Sequence, residues 1–481
     1  MLIQETLMDA RVGWILLGFL GVLWISLGIY WGRKAANIEG YMLAGRNVGL
    51  ALGTATAMAT WITSNTTMLA PQFAFQLGVW GMLAYSTASF GLFLFAPLAK
   101  RIRQLMPDGY TSGDFIRLRY GKAAWVVFLI ISIFYSLTWL ISMGMAGGIL
   151  MNALSGIPYQ WGMTAILGVC VLYTLFGGLY AVIGTDYIQS LIILVGIVAV
   201  GWGVMDHIGV HDVYTHVAHN QPMLMNVLLP AAIMAFFNNM LFGIGEIFHS
   251  NVWWSRAFAM RRDVGKKAYL LSGFFWFPIP IAAGFIALAA GPLHINVTSP
   301  DMVGPLIAAH ILGKMGAAIV FIVCFCSLAS SIDSLLAATA DLITEDIYHK
   351  MFCPQAGEKK LRRVAAMVVT GLGIFAWLVC LPHIGTLATV LFFAGPMVGS
   401  CIWPILTGLF WKRANAVGAL GGMVLGSVSG LICYFAIGWY VASLIGAAVS
   451  MTTVLLVSAF SKHAFEWNTL DEKEIPAEGG G

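Results

Sequence analysis

Charge is what this sequence has least of. Of its 481 residues only 10% are Asp, Glu, Lys or Arg, against 59% hydrophobic, and the mean hydropathy is +0.86. Soluble domains devote roughly a quarter of their residues to charge. The 25 Lys and Arg and 21 Asp and Glu cannot cover a water-borne body of this length, which excludes a soluble enzyme. Cysteine is also sparse. The 7 present show no thioredoxin-like or zinc spacing, Cys324 and Cys326 being separated by a single residue, and they read as small apolar packing groups. No phosphate-cradling Gly-x-x-x-x-Gly-Lys-Ser/Thr run is present, and no connection is long enough for a nucleotide-binding domain, so ATP is not expected as the energy source.

What the chain has in abundance is apolar runs. Thirteen fall at about 12–31, 50–70, 78–99, 124–152, 161–183, 186–205, 226–250, 268–291, 311–340, 364–381, 386–410, 416–437 and 439–460, each near the roughly 20 residues one crossing needs. This predicts an all-α polytopic membrane protein. The first run follows Glu5 and Asp9 and is too long for a signal-peptide core, so it reads as a span. The stretch 161–205 exceeds any single crossing, and Gly177-Gly178 and Gly184-Thr185-Asp186 are expected to divide it in two. With the N-terminus outside, alternate connections collect all Lys and Arg except Arg11 and Lys314, 23 of 25. That bias places the C-terminus in the cytoplasm, in a membrane of the bacterial inner-membrane type. Topology accounts for the basic runs, so no nucleic-acid partner is expected. The tail 461–481 reads as disordered.

Polar groups inside the apolar runs carry the function. Residues 53–67 hold eight hydroxyl or amide side chains, Thr54, Thr56, Thr60, Thr63, Ser64, Asn65, Thr66 and Thr67, followed by Pro71. That composition suits an unwound stretch whose freed carbonyls coordinate a cation or polar solute. Hydroxyls bonded to their own i−4 carbonyls at a tight helix interface are the alternative. In the ninth run Ser327, Ser330, Ser331 and Ser334 share one helical face, with Asp333 beside it. A carboxylate at that depth needs a cation, a proton or a donor, and oxygens of this kind suit a hard ion such as Na⁺. In the seventh run Asn238, Asn239 and Glu246 interrupt the apolar residues; Glu246 and His249 stand i,i+3 with no third ligand at metal spacing. Runs two to six (50–205) match runs seven to eleven (226–410) in number with opposite topology. This predicts inverted repeats around a central site, preceded by one helix (12–31) and followed by two (416–460) in a single domain, 1–460. The solute pocket is expected where Trp61, Thr63 and Asn65 meet Asn238, Asn239 and Glu246, with Trp139 and Ser142 from the long fourth run.

The run Phe176-Gly177-Gly178-Leu179-Tyr180-Ala181-Val182-Ile183-Gly184-Thr185-Asp186-Tyr187-Ile188-Gln189-Ser190 resembles the Gly-Gly…Thr-Asp…Gln signature of the sodium:solute symporter family, and Ser330-Ser331 followed by Thr344-Glu345-Asp346-Ile347-Tyr348 resembles its ninth span. The likeness covers about residues 12–460 and implies a LeuT-type core of two inverted five-helix repeats. It implies a Na⁺ site made by the carbonyls of Ala59, Ile62 and Ser327 and the hydroxyls of Ser330 and Ser331, and a second cation or proton site using Asp186 with Ser330, Asp333 and Ser334. The alternative for Asp186 is a helix cap. Ala44-Gly45-Arg46-Asn47-Val48, Asn152-Ala153-Leu154-Ser155-Gly156 and Trp254-Ser255-Arg256-Ala257 are similar to the urea-transporting branch. The resemblance implies secondary active symport of urea or a related amide with Na⁺, or with H⁺, and with no organic cofactor and no required oligomer. Uptake of an amino acid, a quaternary amine or a monocarboxylate is the alternative, and a ligand sensor of the same fold a further one.

Overall fold

The computed structural model describes residues 7–471 except 36, 227, 296, 298 and 463. Among the described residues there is no strand, only an isolated bridge between Val48 and Met260. Among the described residues eleven helical stretches are long and apolar enough to cross a membrane. The leading helix α1 (Ala10–Gly32) is capped by Asp9, which accepts from the Arg11 amide at 2.7 Å. Small residues along it allow close packing on the long helix Tyr159–His207, and a Cβ at Gly32 would sit 2.4 Å from the Phe176 carbonyl oxygen. The short α2 (Ile38–Leu43) follows.

The eleven stretches do not reproduce the expected count of thirteen: Tyr159–His207 holds two of the expected runs, while the second run lies mostly in the short helix Leu50–Trp61 and only its end falls in Thr66–Leu105. Thr66–Leu105 has 40 residues and Tyr159–His207 has 49, about 60 and 74 Å if straight, against an apolar core of about 30 Å. The first comprises α4 (Ala70–Ser86) and α5 (Ser89–Leu105), with α4 broken at Gly78 (φ +66°). The second, α7 (Tyr159–His207), breaks at Gly178 (φ +52°, ψ −148°). Residues 184–186 are helical, so the expected division there is corrected to Gly178 alone. A side chain at 178 would be strained twice over, since its Cβ would also lie 2.5 Å from the Tyr41 carbonyl oxygen. Gly178→Ala is expected to lower stability by about 1–3 kcal/mol, read as a lower unfolding temperature of the purified protein in detergent.

Two helices that lie side by side are interrupted. The first is α3 (Leu50–Trp61), which leaves helical geometry at Ile62 (φ −83°, ψ 80°) and resumes through a π-helix, Asn65–Leu69, into α4. The freed Trp61 carbonyl accepts from Thr66 Oγ1 (3.1 Å) and Trp276 Nε1 (2.7 Å), so the hydroxyl-rich sequence satisfies the backbone it releases. The second is α9 (Pro230–His249), which breaks at Ser250 (φ −68°, ψ 130°) and continues as α10 (Asn251–Ala259). Asn238, Asn239, Gly243 and Gly245 stay helical, and the break falls just past His249. The two interrupted helices lie side by side: α4 packs on α9, and α3 is tied to the end of α10 by main-chain bonds, Val48 N to Ala259 O (3.0 Å) and Arg261 N to Val48 O (3.1 Å).

Around this pair stand α6 (Ser112–Ser155), α7, α13 (Val303–Leu342) with its π-helical extension Ile343–Phe352, and α14 (Glu358–Cys380). The helix α8 (Val210–Asn220) lies between α7 and α9 in the chain, and α11 (Gly265–Trp276) and α12 (Pro278–Leu288) follow α10. The eleventh run is fragmented into α15 (Leu387–Phe392), α16 (Gly395–Ser400) and α17 (Ile402–Phe410), before α18 (Ala416–Ala436) and α19 (Trp439–Ala459). The start of the tail is ordered, which corrects the disorder expected there. The Phe465 amide donates to Lys412 O (2.9 Å), Arg119 lies 4.1 Å from the Phe465 ring centre, and Leu470 is buried. Residues 472–481 lie outside the described residues.

Candidate functional site

The break in α3 faces the serine face of α13. Ser330 Oγ donates to Ala59 O (3.0 Å) and Ser327 O (3.3 Å), while Ser331 Oγ donates to Thr60 O (3.2 Å) and Ser327 O (2.9 Å). The carbonyls of Ala59 and Ser327 and the hydroxyls of Ser330 and Ser331 thus form one cluster, and all four residues are fully buried. Ser327's own hydroxyl turns back to Val323 O (2.8 Å). Ile62 stands at the break, its amide bonded to Met58 O and Ala59 O (2.9 and 3.1 Å). The donors are all hard oxygens, which fits an alkali cation and offers nothing a softer metal prefers. No group of three or more His, Cys, Asp or Glu that could hold a metal occurs among the described residues.

Next to this cluster lies an ion pair that the sequence did not disclose. Arg256, counted above as a topological charge in a connection, is fully buried on α10. Its Nε donates to Thr56 Oγ1 (3.0 Å), and its Nη2 to Thr60 Oγ1 (2.7 Å), Ser334 Oγ (2.6 Å) and Asp186 Oδ2 (3.3 Å). Asp186 also accepts from Thr56 Oγ1 at 2.5 Å. It sits in mid-helix, so the helix-cap alternative is set aside. Asp333 is buried, and neither of its carboxylate oxygens has a hydrogen-bond partner.

On the other side of the α3 break is an aromatic chamber. Trp61, Thr63, Tyr85, Tyr135, Trp139, Phe242, Trp276 and Leu391 enclose about 10 Å³, room for about one water. Trp61 meets Trp139 and Trp253 edge-on (centroids 6.3 and 5.3 Å) and lies tilted over Trp276 at 5.7 Å. Glu246 is fully buried; its Oε1 accepts from Trp253 Nε1 at 2.9 Å, while Oε2 and the indole nitrogen of Trp61 have no partner. His249 bonds Gly245 O through Nδ1 (2.7 Å), which assigns the proton to Nδ1 and leaves Nε2 bare. Phe73, Phe392 and Trp439 stack on one another at 5.1–6.0 Å, and Phe242 joins them at 4.7 Å from Phe392.

The structure therefore brings Trp61, Thr63 and Trp139 together around one space, with Glu246 bonded to the Trp253 that abuts Trp61. The Asn238 amide instead ties α9 to α19, donating to Trp439 O (3.3 Å) and accepting from Ser443 N (2.8 Å). Asn239 Nδ2 donates to Ala84 O (2.8 Å) and Tyr85 O (3.3 Å), and Ser142 Oγ to Leu387 O (3.4 Å). The side chain of Asn65 lies outside the described residues. Asn239→Ala, which leaves two buried carbonyls short of a donor, is expected to cost about 1–3 kcal/mol of stability. Half-saturating Na⁺ should not move, as measured in the detergent-stable fraction. Tyr85, Tyr135, Phe242, Trp276 and Arg256 escaped the sequence reading; for Arg256 the usable signal was Thr56 and Thr60, spaced i,i+4 beside it.

A family model described as the sodium:solute symporter family matches residues 41–426. The urea-proton symporter DUR3 of Oryza sativa subsp. japonica is 30% identical over 446 residues, 83% of this chain but 61% of that protein, so the chain spans less than two thirds of its length. The osmoregulated proline transporter OpuE of Bacillus subtilis (strain 168) is 29% identical over 443 residues, 87% of this chain and 88% of that one. In three dimensions the chain is similar to the substrate-bound outward-open state of a Na⁺-coupled sialic acid symporter, with a TM-score of 0.77 at 18% identity, covering 94% of this chain and 98% of the other. That likeness shows a LeuT-type fold. With its two interrupted helices, its buried oxygen cluster and a family match over most of its length, this chain belongs to the sodium:solute symporter family.

Proposed function

We propose that the chain couples Na⁺ entry to uptake of a small uncharged amide, urea being the leading case. The observation that carries this reading is the chamber: six of its eight lining residues are aromatic, none is Lys or Arg, and Glu246 stands behind them, bonded to the Trp253 that abuts Trp61. A urea-like solute offers N–H donors to Glu246 Oε2, an acceptor to the Trp61 indole, and flat faces to the rings. A solute's carboxylate would find no Lys or Arg among the lining residues and a second carboxyl group, Glu246, behind them, which disfavours monocarboxylates and leaves the carboxylate of an amino acid unpaired. Ala59, Ile62, Ser327, Ser330 and Ser331 supply the Na⁺ seat in this reading. Asn238, Asn239 and Ser142 act behind the chamber, holding α9 and α6 against their neighbours.

So small a solute gives little binding area, and accumulation comes from the coupling. One Na⁺ moving down a tenfold gradient and about 100 mV supplies roughly 3.7 kcal/mol, a limiting accumulation near 500-fold for a neutral solute. Both interrupted helices come from one chain, so one copy suffices. In the proposed topology the thirteen runs each cross once, the first and last facing outside and cytoplasm respectively, in a bacterial-type inner membrane. Proteoliposome uptake decides the reading. Urea should accumulate under an inward Na⁺ gradient and stop when it is collapsed, and short amides should compete while proline and monocarboxylates do not. Accumulation under a proton gradient alone would transfer the driving role to H⁺, and competition by zwitterions only would remove the amide assignment.

A further inference from the structure

Thr56 and Thr60 on α3, Asp186 on α7 and Ser334 on α13 direct four oxygens at one point, and the guanidinium of Arg256 occupies it at 2.6–3.3 Å. A carboxylate with three hydroxyls, fully buried, is a donor set suited to a hard monovalent cation, and a carboxylate at this depth needs positive charge beside it. The arginine is committed to that place. It reaches in from α10, its Nη1 is held by Val252 O at 3.0 Å, and it has no exposed surface. The neighbouring Asp333 shows no hydrogen bond to it, so the guanidinium is engaged by Asp186.

This oxygen set shares walls with the Na⁺ cluster. Thr60 offers its hydroxyl to Arg256 and its carbonyl to Ser331, and Ser334 Oγ donates to Ser330 O at 2.6 Å. We infer that Arg256 is a tethered counter-cation that permanently fills a second cation seat and so limits the cycle to one mobile cation per solute. The inference rests on the symport reading above but is separable from it. Because the charge is fixed to the protein, it returns with the protein at each turn of the cycle and contributes no net charge movement. Lysine, a point charge on a flexible stem, keeps the charge but not the four-way fork.

The test is the charge moved per urea in voltage-clamped proteoliposomes, together with the Na⁺ dependence of uptake. The wild type is expected to move one charge per urea with a Hill coefficient of about 1. Arg256→Gln is expected to admit a second Na⁺, moving two charges per urea with the Hill coefficient rising toward about 2, and Asp186→Asn added to it should restore one. Two charges per urea in the wild type overturns the inference, as does a transporting Arg256→Gln that still moves one. If Arg256→Gln does not fold, the wild-type ratio and Arg256→Lys, expected to stay at one, decide it. Uptake indifferent to the Na⁺ gradient would instead defeat the symport reading, a result distinguishable from a Na⁺-driven ratio of two.

Discussion

Ser331→Ala is expected to raise the half-saturating Na⁺ concentration of uptake roughly 5- to 150-fold, corresponding to about 1–3 kcal/mol for one lost oxygen ligand. Maximal uptake at saturating Na⁺ should fall much less. The side chain is fully buried and its hydroxyl lies within 3.2 Å of two carbonyls, one on each side of the gap between α3 and α13. Truncation therefore removes an oxygen that alanine cannot replace. Half-saturating urea, measured with Na⁺ in excess, should stay within a factor of about 2, well below the tenfold that 1.4 kcal/mol would produce. The same titration on Ser330→Ala should follow suit, since that hydroxyl bridges Ala59 O and Ser327 O. Two mutants with wild-type Na⁺ dependence would take the ion away from this cluster altogether.

Glu246→Gln should do the converse. The amide keeps the shape and can still accept from Trp253 Nε1, but it turns the unpartnered Oε2 position into an N–H group or a neutral oxygen. A hydrogen bond to a charged group is worth about 1.5–3 kcal/mol. The half-saturating urea concentration is therefore expected to rise roughly 10- to 150-fold while the Na⁺ titration is unchanged. Retention of wild-type urea affinity would separate Glu246 from the solute, and a parallel loss of Na⁺ affinity would mean that the two sites are one.

How legible this was depended on whether chemistry was concentrated in a short run. The eight polar side chains of residues 53–67 and the spacing of Ser327, Ser330, Ser331 and Ser334 are local signals, and they led directly to the interrupted helix and the face opposite it. The chamber had no such signal. Tyr85, Tyr135 and Trp276 lie in different helices, and each alone looks like any aromatic in an apolar run. Arg256 was hidden by a rule that explained it too readily, since a basic residue near a helix end satisfies topology whether or not it turns inward. Asn238 and Asn239 erred the other way: amides in an apolar run suggest a ligand, yet carbonyls of α19 and α4 absorb them. The stretch 161–205 was read as too long for one crossing, but only backbone geometry shows that Gly178, and not the Thr185-Asp186 pair, makes the bend.

The bonds between Val48 and the 259–261 segment join the residues leading into α3 to the end of α10 through main-chain atoms. Such a joint is blind to side-chain identity. The walls of the chamber can be exchanged for others, and the fixed charge on α10 altered, without releasing one half-helix from the other, so a change of cargo need not disturb the stroke. The joint has one chemical weakness, the imino acid that lacks an amide hydrogen. Proline at 48 or at 261 would remove one of the two bonds, a loss no other substitution produces, and leave the joint on its remaining main-chain bond and the Arg256 side chain.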